Sequence, residues 1–364
     1  MVGKKLIDKS VNLGFSEKIF QEASLYQGLF IGRVITQYKD MYKITTLKTE
    51  MFAEISGKFR YSTHNLTDYP AVGDFVMLDR DDENHGHAMI HHVLSRKSVF
   101  VRRAAGSACD IQIVAANIDT VFICMSLNND FNLRRLERYI SIAWDSGAIP
   151  VVVLTKSDLC ENITEKLEDI EKVAFGIDII VTSTRTENEH MSLFKYISPG
   201  KTVAFIGSSG VGKSSLINSL IGREEIKTME IRKDDKGRHT TTRRELILIP
   251  SGGAVIDTPG MREIGVDSVN LQKTFTDIDE LAEQCKFRDC QHENEPGCVV
   301  RQAIHEGTID EERLLSYRKL KKEAKYESLN SRQIEKEKIT DMFKDFGGLK
   351  NAKEYIKSKN KKSY

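Results

Sequence analysis

The sequence predicts a three-part α/β protein, and three observations predict it. Between residues 29 and 93, short apolar or alternating runs are separated by turn residues, with no helical period among them. From 119 to 256, runs rich in Val and Ile alternate with helical spacings, and one such run enters a glycine-rich turn. After 271 the chain becomes polar and helical around a cluster of cysteines and a histidine. At 364 residues, 40% hydrophobic and 29% charged, the chain is long enough for two or three domains with substantial cores.

The first 27 or so residues are expected to form a loosely ordered arm or a short helix. Met1 to Asn12 is polar and charged, unlike a secretory leader, and no apolar run approaches the length of a bilayer span. The expected setting is the cytoplasm, where the six cysteines stay reduced. Strands are expected at 29–35, 41–47, 51–55, 74–78 and 88–93, punctuated by Tyr38-Lys39-Asp40, Ser56-Gly57, Pro70 with Gly73-Asp74, and residues 81–86. Such a set closes into a small barrel of the OB type, an architecture that often binds oligonucleotides. Arg96, Lys97, Arg102 and Arg103 with Phe100 follow at its edge. They read either as a base-stacking, backbone-tracking surface or as a linker with solvated charges.

Next come strands at 121–125, 150–154, 179–181, 203–206, 245–249 and 254–256, with helices at 132–144, 163–173 and 214–221. This alternation predicts a mostly parallel sheet covered on both faces. The strand at 203–206 runs into Gly207-Ser208-Ser209-Gly210-Val211-Gly212-Lys213-Ser214, which fits G-x-x-x-x-G-K-[ST]. The glycines let the backbone approach phosphate oxygens, and the helix behind adds its positive end. Lys213 is expected to reach the β- and γ-phosphates, and Ser214 to ligate Mg²⁺.

Asp257-Thr258-Pro259-Gly260 ends a later strand. It suits a carboxylate holding Mg²⁺ through water and a Gly260 N–H sensing the γ-phosphate. Between the two motifs lies the polar stretch Gly237-Arg238-His239-Thr240-Thr241-Thr242, which reads as a switch. Thr241 or Thr242 is expected to complete the Mg²⁺ shell. Thr155-Lys156-Ser157-Asp158, just past a buried strand, resembles the Asn-Lys-x-Asp box of GTPases. The Asp158 carboxylate can accept from guanine N1–H and N2–H₂, and the Lys156 stem can lie over the base. Thr155 replaces the usual Asn and loses an amide. Thr182-Ser183-Thr184 fits either the loop that contacts the guanine oxygen or a helix cap.

The guanine box thus precedes the phosphate loop, which a circular permutation of the sheet explains. Met261 stands where Ras-type proteins carry a water-orienting Gln, so intrinsic turnover is expected to be slow and stimulated by a partner. His239 reads either as the group that positions water or as a surface histidine making a structural hydrogen bond. Near the end, Cys285, Cys290, His292 and Cys298 supply a Cys₃His set suited to one structural Zn²⁺, with Pro296-Gly297 turning the chain back. The last residues carry Lys350, Lys353, Lys357, Lys359, Lys361 and Lys362 against Glu354. Such a run reads as a polyanion contact or as a solvated tail.

The order of barrel, Thr-Lys-x-Asp, Gly-Ser-Ser-Gly-Val-Gly-Lys-Ser-Ser, Gly-Arg-His-Thr-Thr-Thr, Asp-Thr-Pro-Gly and C-x₄-C-x-H-x₅-C closely resembles the bacterial ribosome small-subunit-dependent GTPase A family, RsgA, also called YjeQ or YloQ. The resemblance covers residues from about 28 to 320. It implies an OB-fold barrel with its arm (1–100), a circularly permuted P-loop GTPase domain (101–272) and a zinc-binding helical domain with a basic tail (273–364). It further implies GTP hydrolysis to GDP, stimulated by the small ribosomal subunit, in late maturation of that subunit. By motif, Thr155 to Asp158 and Gly207 to Ser215 would contact GTP, the Cys₃His set would hold zinc, and His239 would act in hydrolysis. The expected partners are the small subunit and its rRNA, with no membrane, for a monomeric protein. The alternative is an RNA-binding assembly scaffold that uses GTP as a structural or switching ligand without significant turnover.

Overall fold

The computed structural model describes residues 10–63, 65–82, 86–103, 111–128, 130–183, 189–222, 244–257 and 271–327, with 333, 336 and 351. The arm is more ordered than its composition suggests. Helix α1 (Glu17–Ala23) starts at Ser16, whose side chain accepts from the Ile19 N–H. Leu13, Phe15 and Ile19 then bury against Phe75, Met77 and Leu94 of the barrel. Apolar anchors at the start of the helix fix an arm that looks polar on average.

The barrel consists of β1 (Phe30–Gln37), β2 (Tyr42–Thr46), β3 (Glu50–Ile55), β4 (Phe75–Leu78) and β5 (Ala88–Val93), with the short helix α2 (Gly57–Ser62) between β3 and β4. Its strand order is β1-β2-β3-β5-β4, closed by β4 pairing with β1. β3 and β5 run parallel, and the other pairs run antiparallel. This is the closed OB-like barrel expected. Strict alternation in β3 sends Met51, Ala53 and Ile55 inward to meet Val34, Ile44, Val76 and Ile90.

A hairpin ribbon of β6 (Val99–Arg103) and β7 (Ile111–Ala116) leads out of the barrel. The edge cluster expected there is partly interior. Phe100 is 1% exposed and packs in the main core, so it presents no face for a base. Arg96 donates to both carboxylate oxygens of the buried Asp74 (2.8 and 2.7 Å) and to the Thr67 and Tyr69 carbonyls. Lys97 pairs with Asp119 at 2.7 Å. The side chains of Arg102 and Arg103 lie outside the described ones. Alternation explains the burial of Phe100, because one face of a ribbon lying on a core must be apolar.

The second unit is built on β8 (Thr120–Ser126), α3 (Leu133–Ser146), β9 (Ile149–Thr155), α4 (Ile163–Val173), β10 (Asp178–Val181), β11 (Thr202–Gly207), α5 (Lys213–Ile221), β12 (Glu245–Leu248) and β13 (Ala254–Asp257). Its strands lie in the order β10-β9-β8-β11-β13-β12, parallel except for β12. Chain order and spatial order disagree in the way a permuted sheet requires: the strand before the phosphate loop is central, and β8 to β10 precede it in sequence. One core forms under α3, α4 and the C-terminal helices, and another under α5 on the opposite face. β12 also pairs with β1 through Thr36 and Glu245, so barrel and parallel sheet form one continuous sheet.

After 271 the helical expectation holds with a break. α6 (Leu271–Thr274) and α7 (Thr276–Glu283) are separated by Phe275, which is fully buried against Tyr317. α8 (Val299–His305) and α9 (Glu311–Glu327) follow. The residues after 327, the lysine-rich tail among them, lie outside the described residues, apart from isolated positions. Among the described residues, no helix is long and apolar enough to cross a membrane.

Candidate nucleotide site and metal centre

The carboxyl ends of the parallel strands β8, β9, β10, β11 and β13 all lie at the same edge of the sheet, where open α/β sheets take their ligands. Register fixes this. Ser126 lies opposite Thr155, and Cys124 lies opposite Gly207. At Gly207 (φ +144°) a Cβ would fall 2.3 Å from the Cys124 carbonyl oxygen, so only glycine lets β11 turn there. Gly210 and Gly212 also have positive φ, and Gly212 caps α5 without any side-chain bond. Lys213 curls over the loop and donates to the carbonyls of Gly207 (2.8 Å) and Ser208 (2.6 Å). Ser209, Ser214 and Ser215 are partly exposed around it, while Val211 is buried beneath.

The guanine-box candidate meets the phosphate loop directly. The Thr155 hydroxyl donates to the Val211 carbonyl at 2.6 Å, so this threonine ties one loop to the other despite its missing amide. Lys156 adopts a left-handed conformation (φ 58°) that turns the chain sharply into Ser157 and Asp158. Ser183 donates to Asp158 Oδ1 at 2.6 Å. Of the two roles open for Ser183, the structure shows a third: its side chain orients the carboxylate. Thr184 lies outside the described residues.

Asp257 ends β13 beside the loop. Burial pushes its carboxyl up to about 6, opposed by the positive charge of Lys213 and reinforced by Glu245 across the strand pair. His239, Thr241, Thr242, Gly260 and Met261 lie outside the described residues.

Sequence reasoning missed Arg135. Asn132 caps α3 by accepting from the Arg135 N–H at 2.9 Å, and this sets the first turn of the helix under the phosphate loop. The Arg135 guanidinium donates to the Ser208 hydroxyl and, at 2.7 Å, to Asp130 Oδ1. Arg135 and Lys213 therefore both bond to Ser208, one to its side chain and one to its carbonyl. The only signal in the sequence is that α3 starts just after a strand neighbouring β11.

The cysteine cluster is assembled as its spacing predicts. One donor atom from each of Cys285, Cys290, His292 and Cys298 lies within 4.8 Å of all the others. Cys285 Sγ is 4.0 Å from Cys298 Sγ, and His292 Nδ1 is 3.7 and 3.5 Å from the two sulfurs. A tetrahedral ion with ordinary Zn–S and Zn–N bonds has edges of about 3.8 Å (S–S) and about 3.6 Å (S–N). The donor set fits such an ion. Burial, with Arg318 and Lys321 nearby, lowers the His292 pKa and keeps its ring neutral, the state a metal ligand needs. Cys298 also caps α8, where the Arg301 N–H donates to its sulfur at 3.4 Å.

A family model described as RsgA GTPase matches residues 93–267. The chain is 48% identical over 345 residues to the small ribosomal subunit biogenesis GTPase RsgA 2 of Lactiplantibacillus plantarum, covering 94% of this chain and 97% of that one. It is 42% identical to the small ribosomal subunit biogenesis GTPase RsgA of Methanosarcina acetivorans, covering 90% of each. Among solved structures, YjeQ from Thermotoga maritima superposes with a TM-score of 0.60 at 26% identity, over 81% of this chain and 98% of that one. YloQ, described as a circularly permuted GTPase, shares the fold with a TM-score of 0.56 at 24% identity, over 82% of this chain and 96% of that one. Fold, strand order and near-complete relatives agree, and the chain belongs to the RsgA GTPase family.

Proposed function

We propose that this GTPase binds the small ribosomal subunit through RNA, assists its late maturation in the cytoplasm, and hydrolyses GTP to GDP and phosphate when the subunit stimulates it. The observation that carries the nucleotide reading is the Thr155–Val211 bond, which ties the proposed base box to the phosphate loop around the proposed pocket. In that pocket Asp158, held by Ser183, selects guanine by accepting its two edge donors. Lys213 leaves its two carbonyls for the β- and γ-phosphates, and the α5 N-terminus supports their charge. Ser214, one of Thr241 and Thr242, and Asp257 through water would hold Mg²⁺, which when bound screens the charge that develops on the transferred phosphoryl group. Gly260 would sense the γ-phosphate and His239 would position water. Zn²⁺ at the Cys₃His set would staple the helical end, with no coordination position left for catalysis. The protein acts as a monomer.

The test is a GTPase assay titrated separately with purified small and large ribosomal subunits. Stimulation by the small subunit alone supports the reading, and up to about 10⁵-fold is available to a partner-activated GTPase. Equal stimulation by both subunits, or none by either, would overturn it.

A further inference from the structure

We infer that Thr155, standing where the GTPase box carries Asn, sets how fast this protein releases its nucleotide, and does so by leaving the Thr182 hydroxyl without a partner. The inference rests on the reading of Thr155 to Asp158 as the base box. β9 and β10 run parallel with Val181 opposite Leu154. The ladder then continues one step beyond β10: the Thr182 N–H donates to the Leu154 carbonyl at 2.7 Å, and the Thr182 carbonyl accepts from the Ser157 N–H at 3.4 Å. Thr182 therefore brackets Thr155, and residues in parallel register present their side chains on the same face.

Both side chains are interior, at 4% exposure for Thr155 and 0% for Thr182. The single hydroxyl proton of Thr155 goes to the Val211 carbonyl at 2.6 Å, with the Met125 carbonyl a distant second at 3.4 Å. Nothing is left for Thr182, whose hydroxyl oxygen is buried with no hydrogen-bond partner among the described residues. A buried hydroxyl without a partner is a standing penalty that folded proteins rarely keep. It sits next to Ser183, the residue that orients Asp158.

Asparagine has nearly the volume of threonine but brings two donors and an acceptor. At position 155 it can hold the Val211 carbonyl and meet Thr182 as well. With threonine there, position 155 ties the base box to the phosphate loop but adds nothing to the Ser183–Asp158 bond that joins the box to the loop after β10. The loop that steadies Asp158 is consequently easier to open, and guanine nucleotide leaves without help from an exchange partner.

The experiment follows release of a fluorescent GDP analogue from the full-length protein, chased with excess GDP. Thr155→Asn slows release about tenfold, the worth of roughly one well-made hydrogen bond. Thr182→Val, which deletes the orphan oxygen, raises the melting temperature. In the double variant the gain from Asn disappears, because its new partner is gone. Thr155→Val keeps the shape but cuts the tie to Val211, and speeds release. An Asn variant that releases at the parental rate, or one whose gain survives Thr182→Val, overturns the inference. Asp158→Asn separates this failure from that of the base-box reading. If it abolishes GDP binding while the threonine variants change nothing, only the threonine inference falls. If it leaves GDP binding intact, the base box itself is misassigned.

Discussion

On the proposed reading, Asp158 is the side chain that chooses the ligand. Its carboxylate is held by Ser183, and it would accept from two guanine donors that adenine does not offer on that edge. Asp158→Asn is expected to weaken GTP binding by about 3 kcal/mol, more than a hundredfold, and to shift preference toward xanthine nucleotides. A nucleotide competition series measures both. Asp257 carries a second residue-scale prediction. Its carboxyl titrates at about 6 in the folded protein against an ordinary 3.8, so the native state binds the proton more tightly than the unfolded chain. Its stabilising contribution is complete below the unfolded value and is lost as pH rises through about 6, up to ~3 kcal/mol in all. In chelator and without nucleotide, stability should therefore decline between pH 4 and 6 from this group. Asp257→Asn should flatten that decline, as read by denaturant unfolding at several pH values.

At the scale of elements, α3 connects two regions. Its first turn carries Arg135 to the phosphate loop, and its middle receives the C-terminal helices. The cap at Asn132 sets that rotation, because the helix must begin where the Arg135 N–H finds the Asn side chain. Arg135→Ala should raise the Kd for GTP several-fold without unfolding the protein, since the guanidinium is partly exposed and braces the loop from outside. Equilibrium titration against a fluorescent nucleotide checks it. The segment from Cys285 to Cys298 is proposed to depend instead on a bound ion. Apolar burial is thin there, and a structural zinc site contributes on the order of 10 kcal/mol to forming its fold. Strong chelation should release one zinc, make Cys285, Cys290 and Cys298 reactive to thiol reagents, and lower the melting temperature. Cys298→Ser should do the same without a chelator.

Across the whole molecule, buried charges join the units. Arg33 of β1 is interior and donates to the Leu13 carbonyl (2.6 Å), the Gly73 carbonyl (3.2 Å) and the Thr202 hydroxyl (2.8 Å), linking arm, barrel and parallel sheet. Its burial lowers its pKa to about 10, which still leaves it charged at neutral pH. On the opposite side, Glu137 of α3 is fully buried and accepts from Arg134 and Arg313, both at 2.7 Å. Arg313 also chelates Asp277 and lies over the Phe275 ring. Arg313→Ala should cost about 3 kcal/mol, the low end for breaking a buried pair because Arg134 remains. The same variant should lose stimulation by the small subunit while keeping intrinsic hydrolysis, because the C-terminal helices dock on the helix that braces the phosphate loop. Calorimetry and the subunit-titrated GTPase assay read the two effects.

Contiguous spans were legible from the sequence alone. The glycine turn at 207–212 and the Cys₃His set each hold their chemistry within a few residues, and backbone sterics and ligand spacing allow few other readings. The barrel and the permuted sheet followed from periodicity and motif order. What tertiary structure alone decided are contacts between distant residues: Arg135 with Ser208, 73 positions apart; Arg33 with Thr202, 169 apart; and Arg313 with Glu137, 176 apart. The burial of Phe100 and the pairing of Arg96 with Asp74 belong with them. A charged or aromatic side chain looks the same in sequence whether it faces water or a partner. Which it meets depends on how whole elements pack, and no local pattern encodes that.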